Sequence, residues 1–215
     1  MIVNDLPLAP LKTPPSGGRG VGIIRYGAGN IFSLTAALER LGIAYGMINN
    51  EEDFEQFDRY IIPGVGHAGA AMNKLEQTGL VPKIKGLTKP TLGICVGMQL
   101  LTAHSEEGDS KLLNIFPINT LKFSNSTEYK VPHTGWNRVF PEKENQLFEN
   151  IPNGSHFYFV HSYFIEHNFA YTLSSTIYNN KFSASIWLNN FYGVQFHPEK
   201  SGAFGETLLL NFSKL

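Results

Sequence analysis

The chain has 215 residues, of which 42% are hydrophobic and 16% are charged, and its formal net charge is -1. This length suits one sizeable domain or two small ones, and the balanced charge argues against the basic domain typical of nucleic-acid binding. One cysteine cannot form an internal disulfide, so nothing calls for an oxidising compartment. The sequence contains neither an apolar run of the ~18 residues needed for a membrane span nor a secretory signal pattern. We therefore expect a cytoplasmic protein without a membrane segment.

The first twenty residues differ in amino-acid composition from the rest of the chain. Residues 1–20, MIVNDLPLAPLKTPPSGGRG, contain four prolines and three glycines and show no apolar periodicity. This composition indicates a flexible extension, with a functional arm as the alternative. Residues 21–215 show no internal repeat and no dividing linker, so we predict one domain there.

The segment from residue 21 to residue 95 alternates between apolar runs and amphipathic stretches. Buried strands are predicted by VGIIRY, AYGMI, RYIIPG and PTLGIC. The stretch IFSLTAALERLG has helical spacing, with Asn30 suited to its N-cap and Gly42 to its end. A second helix is predicted over residues 67–78. Strands and helices in alternation predict a parallel sheet with helices on both faces.

After about residue 112 the sequence becomes rich in aromatic and β-branched residues. Strands, several of them antiparallel, are predicted by FPINTLKF, HFYFVHSYFIEH, YTLSSTIYN, FSASIWLNN and FYGVQFHPE. The last segment, GETLLLNFSKL, has the spacing of a C-terminal helix. We therefore predict an α/β fold: a mostly parallel central sheet flanked by helices, with a β-rich antiparallel second half.

The single cysteine lies in TLGICVGMQLL, where an apolar strand meets the predicted helix VGMQLLTAH. Cys95 is flanked at two residues' distance by Gly93 and Gly97, and small residues there permit the sharp strand-to-helix turn of a nucleophile elbow. A helix N-terminus behind the thiol favours its thiolate form. The alternative is that Cys95 is a small core residue.

A base and an acid stand close together in FYGVQFHPEKSG. His197 and Glu199 are two residues apart, so on an extended chain their side chains point the same way. A carboxylate beside an imidazole fixes its tautomer and stabilises the imidazolium, which makes Cys95, His197 and Glu199 a candidate triad. Taken by itself, His197 also fits a surface histidine in a loop.

A third stretch, IIPGVGHAG, ends a strand in a glycine-rich turn. Such a turn can aim backbone N–H groups outwards and, with the N–H of Val96, receive the negative charge of a tetrahedral intermediate. The alternative is an ordinary turn.

Together these motifs resemble a known family. PGVG, GICVGMQLL followed by SEEG, and HPEKSG resemble the class I, triad-type glutamine amidotransferases. RYGAGNIFSLTAALERLG, KVPHTGWN and FYFVHSYF are similar to the glutaminase subunits of imidazole glycerol phosphate synthase, and this resemblance covers roughly residues 21–215. The chain departs from the usual pattern at Arg25, where an acid is usual, at Thr134, where methionine is usual, and in LLNIFPINT, which lacks expected glycines.

The resemblance implies that Cys95 attacks glutamine, that His197 transfers protons and that Glu199 orients it, with no metal or organic cofactor. It also implies oxyanion N–H groups from Val65 and Val96. The glutamine would be held by Gly64, Gly66, Gln99, Glu107, Ser162 and Tyr163.

The resemblance further implies a partner, a (β/α)₈-barrel cyclase subunit that receives ammonia and makes imidazole glycerol phosphate and the aminoimidazole carboxamide ribonucleotide. A paralogous glutaminase that feeds a different synthase, for example in surface-sugar biosynthesis, and a catalytically silent regulatory subunit stay open as alternatives. Three of the implied interface residues also suit other positions. Trp136 and Tyr158 suit a core or a crevice, and Lys130 suits a solvated surface. The implied interface set is Asn30, Lys130, Trp136, Asn137, Tyr158 and Lys200.

Overall fold

The structure, a computed structural model, describes residues 20–124 and 127–215. The predicted extension, apart from Gly20, lies outside the described residues. Within the described ranges, no helix has the length and apolar character needed to cross a membrane. The helices are α1 Ile31–Arg40, α2 Ala68–Gln77, α3 Val81–Lys85, α4 Val96–Leu100 and α5 Gly202–Phe212. The strands are β1 Val21–Ile24, β2 Tyr45–Ile48, β3 Arg59–Gly64, β4 Thr91–Cys95, β5 Thr102–Ser105, β6 Ser110–Lys111, β7 Phe116–Lys122, β8 His133–Pro141, β9 Ser155–His161, β10 Tyr163–Glu166, β11 Thr172–Tyr178, β12 Asn180–Leu188 and β13 Phe191–Val194.

Five parallel strands form one half of the sheet, in the order β2-β1-β3-β4-β13. Strands β1, β4 and β13 are buried along their whole length, as expected for apolar runs covered on both faces. Helix α1 begins as predicted, with the Asn30 side chain accepting from the N–H of Ser33, and the chain turns after it at Gly42, whose φ is +67°. The prediction of a parallel, helix-covered first half is confirmed.

The other half of the sheet is mainly antiparallel and continues from β13 through β12, β10 and β7 to β5 and β6. Strand β11 pairs with β12 and β8, and β8 pairs with β9. Its core is aromatic: the rings of Phe157 and Phe196 meet at a tilt of 34° with centroids 4.2 Å apart, and Phe159 and Phe182 are fully buried. The predicted β-rich second half is confirmed.

Some element boundaries differ from the sequence prediction. The helix after Cys95 ends at Leu100, so the prediction of a helix through VGMQLLTAH was wrong in its length. The Thr102 hydroxyl donates to the carbonyl of Gln99 at 2.8 Å, and the chain then pairs as β5 with β7. The run HFYFVHSYFIEH forms two strands separated at Ser162, because β9 pairs with β8 whereas β10 pairs with β7 and β12. Pairing partners far along the chain decide both outcomes.

Candidate active site

Cys95 ends β4 and immediately precedes α4, with φ 55° and ψ -111°. The flanking glycines allow this turn because the backbone passes too close for side chains. A Cβ on Gly93 would lie 2.4 Å from the carbonyl oxygen of Gly97, and a Cβ on Gly97 would lie 1.8 Å from that of Ile62. The turn therefore has the strand-to-helix geometry of a nucleophile elbow.

His197 reaches the same edge of the sheet as Cys95. Strand β13 runs parallel to β4, with Val194 beside Ile94, so both chains leave the sheet at neighbouring carboxyl ends. The Nδ1 atom of His197 lies 2.8 Å from Oε1 of Glu199, and the two side chains are 2% and 3% exposed.

The backbone conformation that brings the Glu199 carboxylate to His197 differs from the extended chain that the sequence predicts. Residues Pro198–Lys200 form a 3₁₀ turn, so the Glu199 side chain reaches the imidazole around a tight turn, not along an extended strand. The backbone N–H of His197 donates to the carbonyl of Tyr158 at 2.9 Å, which fixes the chain just before this turn. The pairing of His197 with Glu199 was predicted, but the reason given for it was wrong.

The electrostatics of this group favour a charged imidazole. Burial opposes protonation of His197, but hydrogen bonding and charge from Cys95 and Glu199 outweigh it and raise the pKa of His197 to about 10. With Nδ1 bound to Glu199, Nε2 is the ring nitrogen that remains for proton exchange at Cys95. The arrangement can hold an imidazolium beside Cys95.

A cavity of about 300 Å³ opens over Cys95 and His197. The predicted oxyanion and glutamine-holding residues all line it except Gly64, which lies beneath the elbow and pairs with Cys95 in the sheet. A Cβ on Gly64 would lie 2.4 Å from the backbone nitrogen of Gly97. The lining residues are Val65, Gly66, Cys95, Val96, Gln99, Glu107, Pro132, Val160, His161, Ser162, Tyr163 and His197.

The PGVG turn is held on both sides. The hydroxyl of buried Tyr26 donates to the carbonyl of Pro63 at 2.5 Å, and Oε2 of Glu107 accepts from the N–H of Ala68, also at 2.5 Å. Between these anchors, Val65 is 40% exposed at the cavity mouth. The turn is thus fixed at its ends and open at its centre.

Two of the predicted interface residues lie beside the triad. Asn30 lines a small cavity together with Gly64, His197 and Glu199, and Lys200 is exposed in the turn that follows Glu199. These two residues therefore lie close to His197 and Glu199.

Three other predicted interface residues lie on β8 and β9. Trp136 is 57% exposed, and its ring meets that of Tyr158 with centroids 6.1 Å apart. Asn137 is half-buried and donates to the Ile177 carbonyl at 3.0 Å.

Lys130 completes the interface set, and Arg25 and Thr134 are the two single-residue departures from the family pattern. Lys130 is exposed, and its carbonyl accepts from Tyr178 at 2.6 Å. Arg25 and Thr134 are also exposed.

The sequence analysis missed two polar groups at the site. Gln195 is fully buried, and its amide nitrogen lies 3.7 Å from the sulfur of Cys95. His133 and His161 form a buried pair with a nitrogen–nitrogen distance of 2.9 Å. The position of Gln195, two residues before His197 in the same apolar run, was the available signal. The two histidines lie in the quoted motifs KVPHTGWN and FYFVHSYF, but neither motif indicates that they pair.

Comparisons with known proteins identify the family of this chain. The family model of class I glutamine amidotransferases matches residues 23–214. The imidazole glycerol phosphate synthase subunit HisH of Bacteroides thetaiotaomicron is 44% identical over 91% of this chain and 99% of its own length. HisH of Idiomarina loihiensis is also 44% identical, over 86% of this chain and 93% of its own.

Solved structures support the fold at lower identity. A glutamine amidotransferase superposes with a TM-score of 0.69 at 16% identity and covers 90% of this chain and 97% of its own. PurLQS from Thermotoga maritima superposes with a TM-score of 0.65 at 15% identity, over 89% of this chain and 96% of its own. With the elbow, the His–Glu pair and the cavity in place, the chain belongs to the class I glutamine amidotransferases and, within them, to the family of HisH subunits of imidazole glycerol phosphate synthase.

Proposed function

We propose that this chain hydrolyses glutamine to glutamate and ammonia in the cytoplasm and passes the ammonia to a barrel cyclase subunit. That subunit makes imidazole glycerol phosphate and the aminoimidazole carboxamide ribonucleotide of histidine biosynthesis. The observation that supports the proposal is that Cys95 and His197, from distant parts of the chain, line one cavity, with Glu199 hydrogen-bonded to His197.

The proposed reaction begins with attack of the Cys95 thiolate on the side-chain amide carbon of glutamine. N–H groups of Val65 and Val96 receive the charge on the carbonyl oxygen. Nε2–H of His197 protonates the departing nitrogen, the C–N bond breaks, and ammonia and a γ-glutamyl thioester result. His197 then takes a proton from water, whose oxygen attacks the thioester carbonyl. The C–S bond breaks, glutamic acid leaves and loses its proton to solvent, and the Cys95 thiolate and the His197 imidazolium are restored.

The cavity walls suit the polar ends of glutamine. Both N–H groups of the Gln99 side chain are already donated, to the carbonyl of Tyr163 and to Oε1 of Gln195, each at 3.1 Å. Gln99 therefore offers an acceptor, its Oε1, and Glu107 offers a carboxylate. We assign these two groups to the α-amino end of the substrate, with the backbone around Ser162 and Tyr163 beside them.

The proposed partner surface surrounds the triad. The carbonyl of Tyr158 accepts from the N–H of His197, the N–H of Lys200 donates to the carbonyl of His197, and Asn30 lines the same small cavity as Glu199. An aromatic and cationic rim of this kind suits an interface that must keep water from ammonia. Trp136, Asn137 and Lys130 extend the same proposed surface along β8 and the segment before it.

The proposal is tested with Cys95→Ala in complex with a barrel cyclase subunit. We expect glutamine-dependent synthesis to disappear while synthesis from added ammonia continues, because only the nucleophile is lost. The measurements are glutamate release and product formation, with wild-type complex as the control. Glutamate release by the variant at the wild-type rate would refute the assignment of Cys95. If the wild-type chain supplied ammonia to no barrel cyclase of the histidine pathway, its partner would instead be a paralogous synthase.

A further inference from the structure

A chain of buried side-chain amides leads from the cavity wall to the sulfur. The carbonyl of Tyr163 can only accept, and it lies 3.1 Å from Nε2 of Gln99 and 2.7 Å from Nδ1 of His161. This contact orients the Gln99 amide, since its nitrogen must face Tyr163. The same nitrogen lies 3.1 Å from the side chain of Gln195, which must therefore present its oxygen.

The orientation of Gln99 determines that of Gln195. With Oε1 of Gln195 accepting from Gln99, its Nε2 is directed at the Cys95 sulfur, 3.7 Å away. Gln195 is fully buried and Gln99 is 2% exposed, so water does not compete for these bonds. The hydrogen bonds of Gln99 to Tyr163 and to Gln195 thus require Gln195 to face the sulfur with its N–H donor.

The sulfur also has an acceptor close by. The carbonyl of Val160 lies 3.9 Å from Sγ of Cys95 and can accept only from a protonated thiol. Once the proton leaves, this contact loses its hydrogen bond, whereas the N–H of Gln195 meets a full negative charge. The Val160 carbonyl therefore favours the thiol, whereas the Gln195 N–H favours the thiolate, and a hydrogen bond to a charged group is stronger than one between neutral groups.

We propose that Gln195 is a further catalytic residue: its side-chain N–H donates to the Cys95 sulfur, stabilises the thiolate and holds it in place for attack on the substrate, while Gln99 fixes the amide orientation. The inference rests on the proposed function in taking Cys95 as the nucleophile. It assigns Gln99 a second task, since the residue that lines the glutamine cavity also aims the donor.

The test measures alkylation of the full-length chain by iodoacetamide as a function of pH. Cys95 is the only cysteine, so the rate reports on this sulfur alone. Gln195→Leu keeps much of the volume and removes the donor. We expect its alkylation profile to move to higher pH and its rate near neutral pH to fall about tenfold, and kcat for glutamine hydrolysis in the complex to fall about 10- to 100-fold with little change in KM.

Ser185→Ala is the matched control, because Ser185 is fully buried on the neighbouring strand β12 and its hydroxyl is hydrogen-bonded to Ser174, not to Cys95. We expect it to leave the alkylation profile unchanged even if it lowers the melting temperature. Should Gln195→Leu fail to fold, Gln195→Glu carries the test: it keeps the acceptor for Gln99, and its carboxylate repels the thiolate, so alkylation at neutral pH falls further.

The outcomes separate the two proposals. A wild-type alkylation profile in a folded Gln195 variant would overturn the role of Gln195 and leave the nucleophile in place. Alkylation of wild-type Cys95 that spared glutamine hydrolysis would instead refute the proposed function.

Discussion

At the residue scale, the charge of His197 depends on opposing influences. Burial disfavours the imidazolium, whereas Cys95 and Glu199 favour it strongly enough to raise the pKa of His197 to about 10. Because the raised value lies above the ordinary pKa of about 6.5, the protonated form persists through neutral pH and is lost only in alkaline solution. The imidazole of His197 therefore carries a proton at neutral pH.

Removing the charge of Glu199 tests this account. Glu199→Gln keeps the side-chain size but withdraws the carboxylate, so the pKa of His197 falls and the imidazolium is lost at lower pH. We expect the alkaline limb of the glutaminase profile to move to lower pH and kcat/KM to drop by about 10- to 100-fold. Glu206→Gln, which removes the carboxylate of an exposed ion pair with Arg40, is the control and should leave the profile in place. An unchanged alkaline limb in Glu199→Gln would contradict the account.

At the element scale, the elbow depends on close contact between β3, β4 and α4. The short helix lies so near the sheet that Gly97 faces the carbonyl of Ile62 on β3, and Gly93 on β4 faces the carbonyl of Gly97. Such contacts leave no room for a methyl group, and backbone atoms cannot move aside as a flexible side chain can. The two glycines around Cys95 therefore serve the packing of three elements as well as the turn.

Gly97→Ala should accordingly lower the free energy of unfolding by about 2 kcal/mol or more, through overpacking against backbone. Chemical denaturation measures the change. Gly86→Ala is the matched control, since a Cβ there would lie 3.6 Å from its nearest neighbour, in ordinary contact. Equal stability of the two variants would show that the elbow has more room than the structure indicates.

At the scale of the whole molecule, a buried pair of histidines joins β8 to β9 beneath the cavity. His133 donates toward His161, which in turn bonds the carbonyl of Tyr163. Burial lowers the pKa of His133 to about 4, and burial together with the nearby His133 lowers the pKa of His161 to about 3. Both rings are therefore neutral in the folded protein at neutral pH.

This pair makes folding sensitive to acid. Below pH ~6.5 the unfolded chain binds protons at both histidines and the folded chain does not, so the free energy of unfolding falls as the pH decreases toward 4. We expect a loss of roughly 3 kcal/mol or more between pH 7 and pH 4, measured by urea denaturation. The double variant His133→Phe and His161→Phe should lose much less over the same interval, whereas the exposed-site control His156→Gln should behave like the wild type. Equal acid sensitivity in the double variant would contradict this origin.

The sequence by itself determined the local features: the buried parallel strands, the capped first helix, the glycine-flanked Cys95 and the nearness of His197 to Glu199. Each depends on residues within a few positions of one another, so spacing and residue type are enough to predict it. Only the tertiary structure decided where α4 ends, since pairing of β5 with β7 stops the helix at Leu100. It also decided that Gln195, 100 positions from Cys95, points its amide at the sulfur, and that His133 meets His161. Such contacts join strands that are distant in sequence, and their geometry follows from sheet register, which no short stretch of the chain encodes.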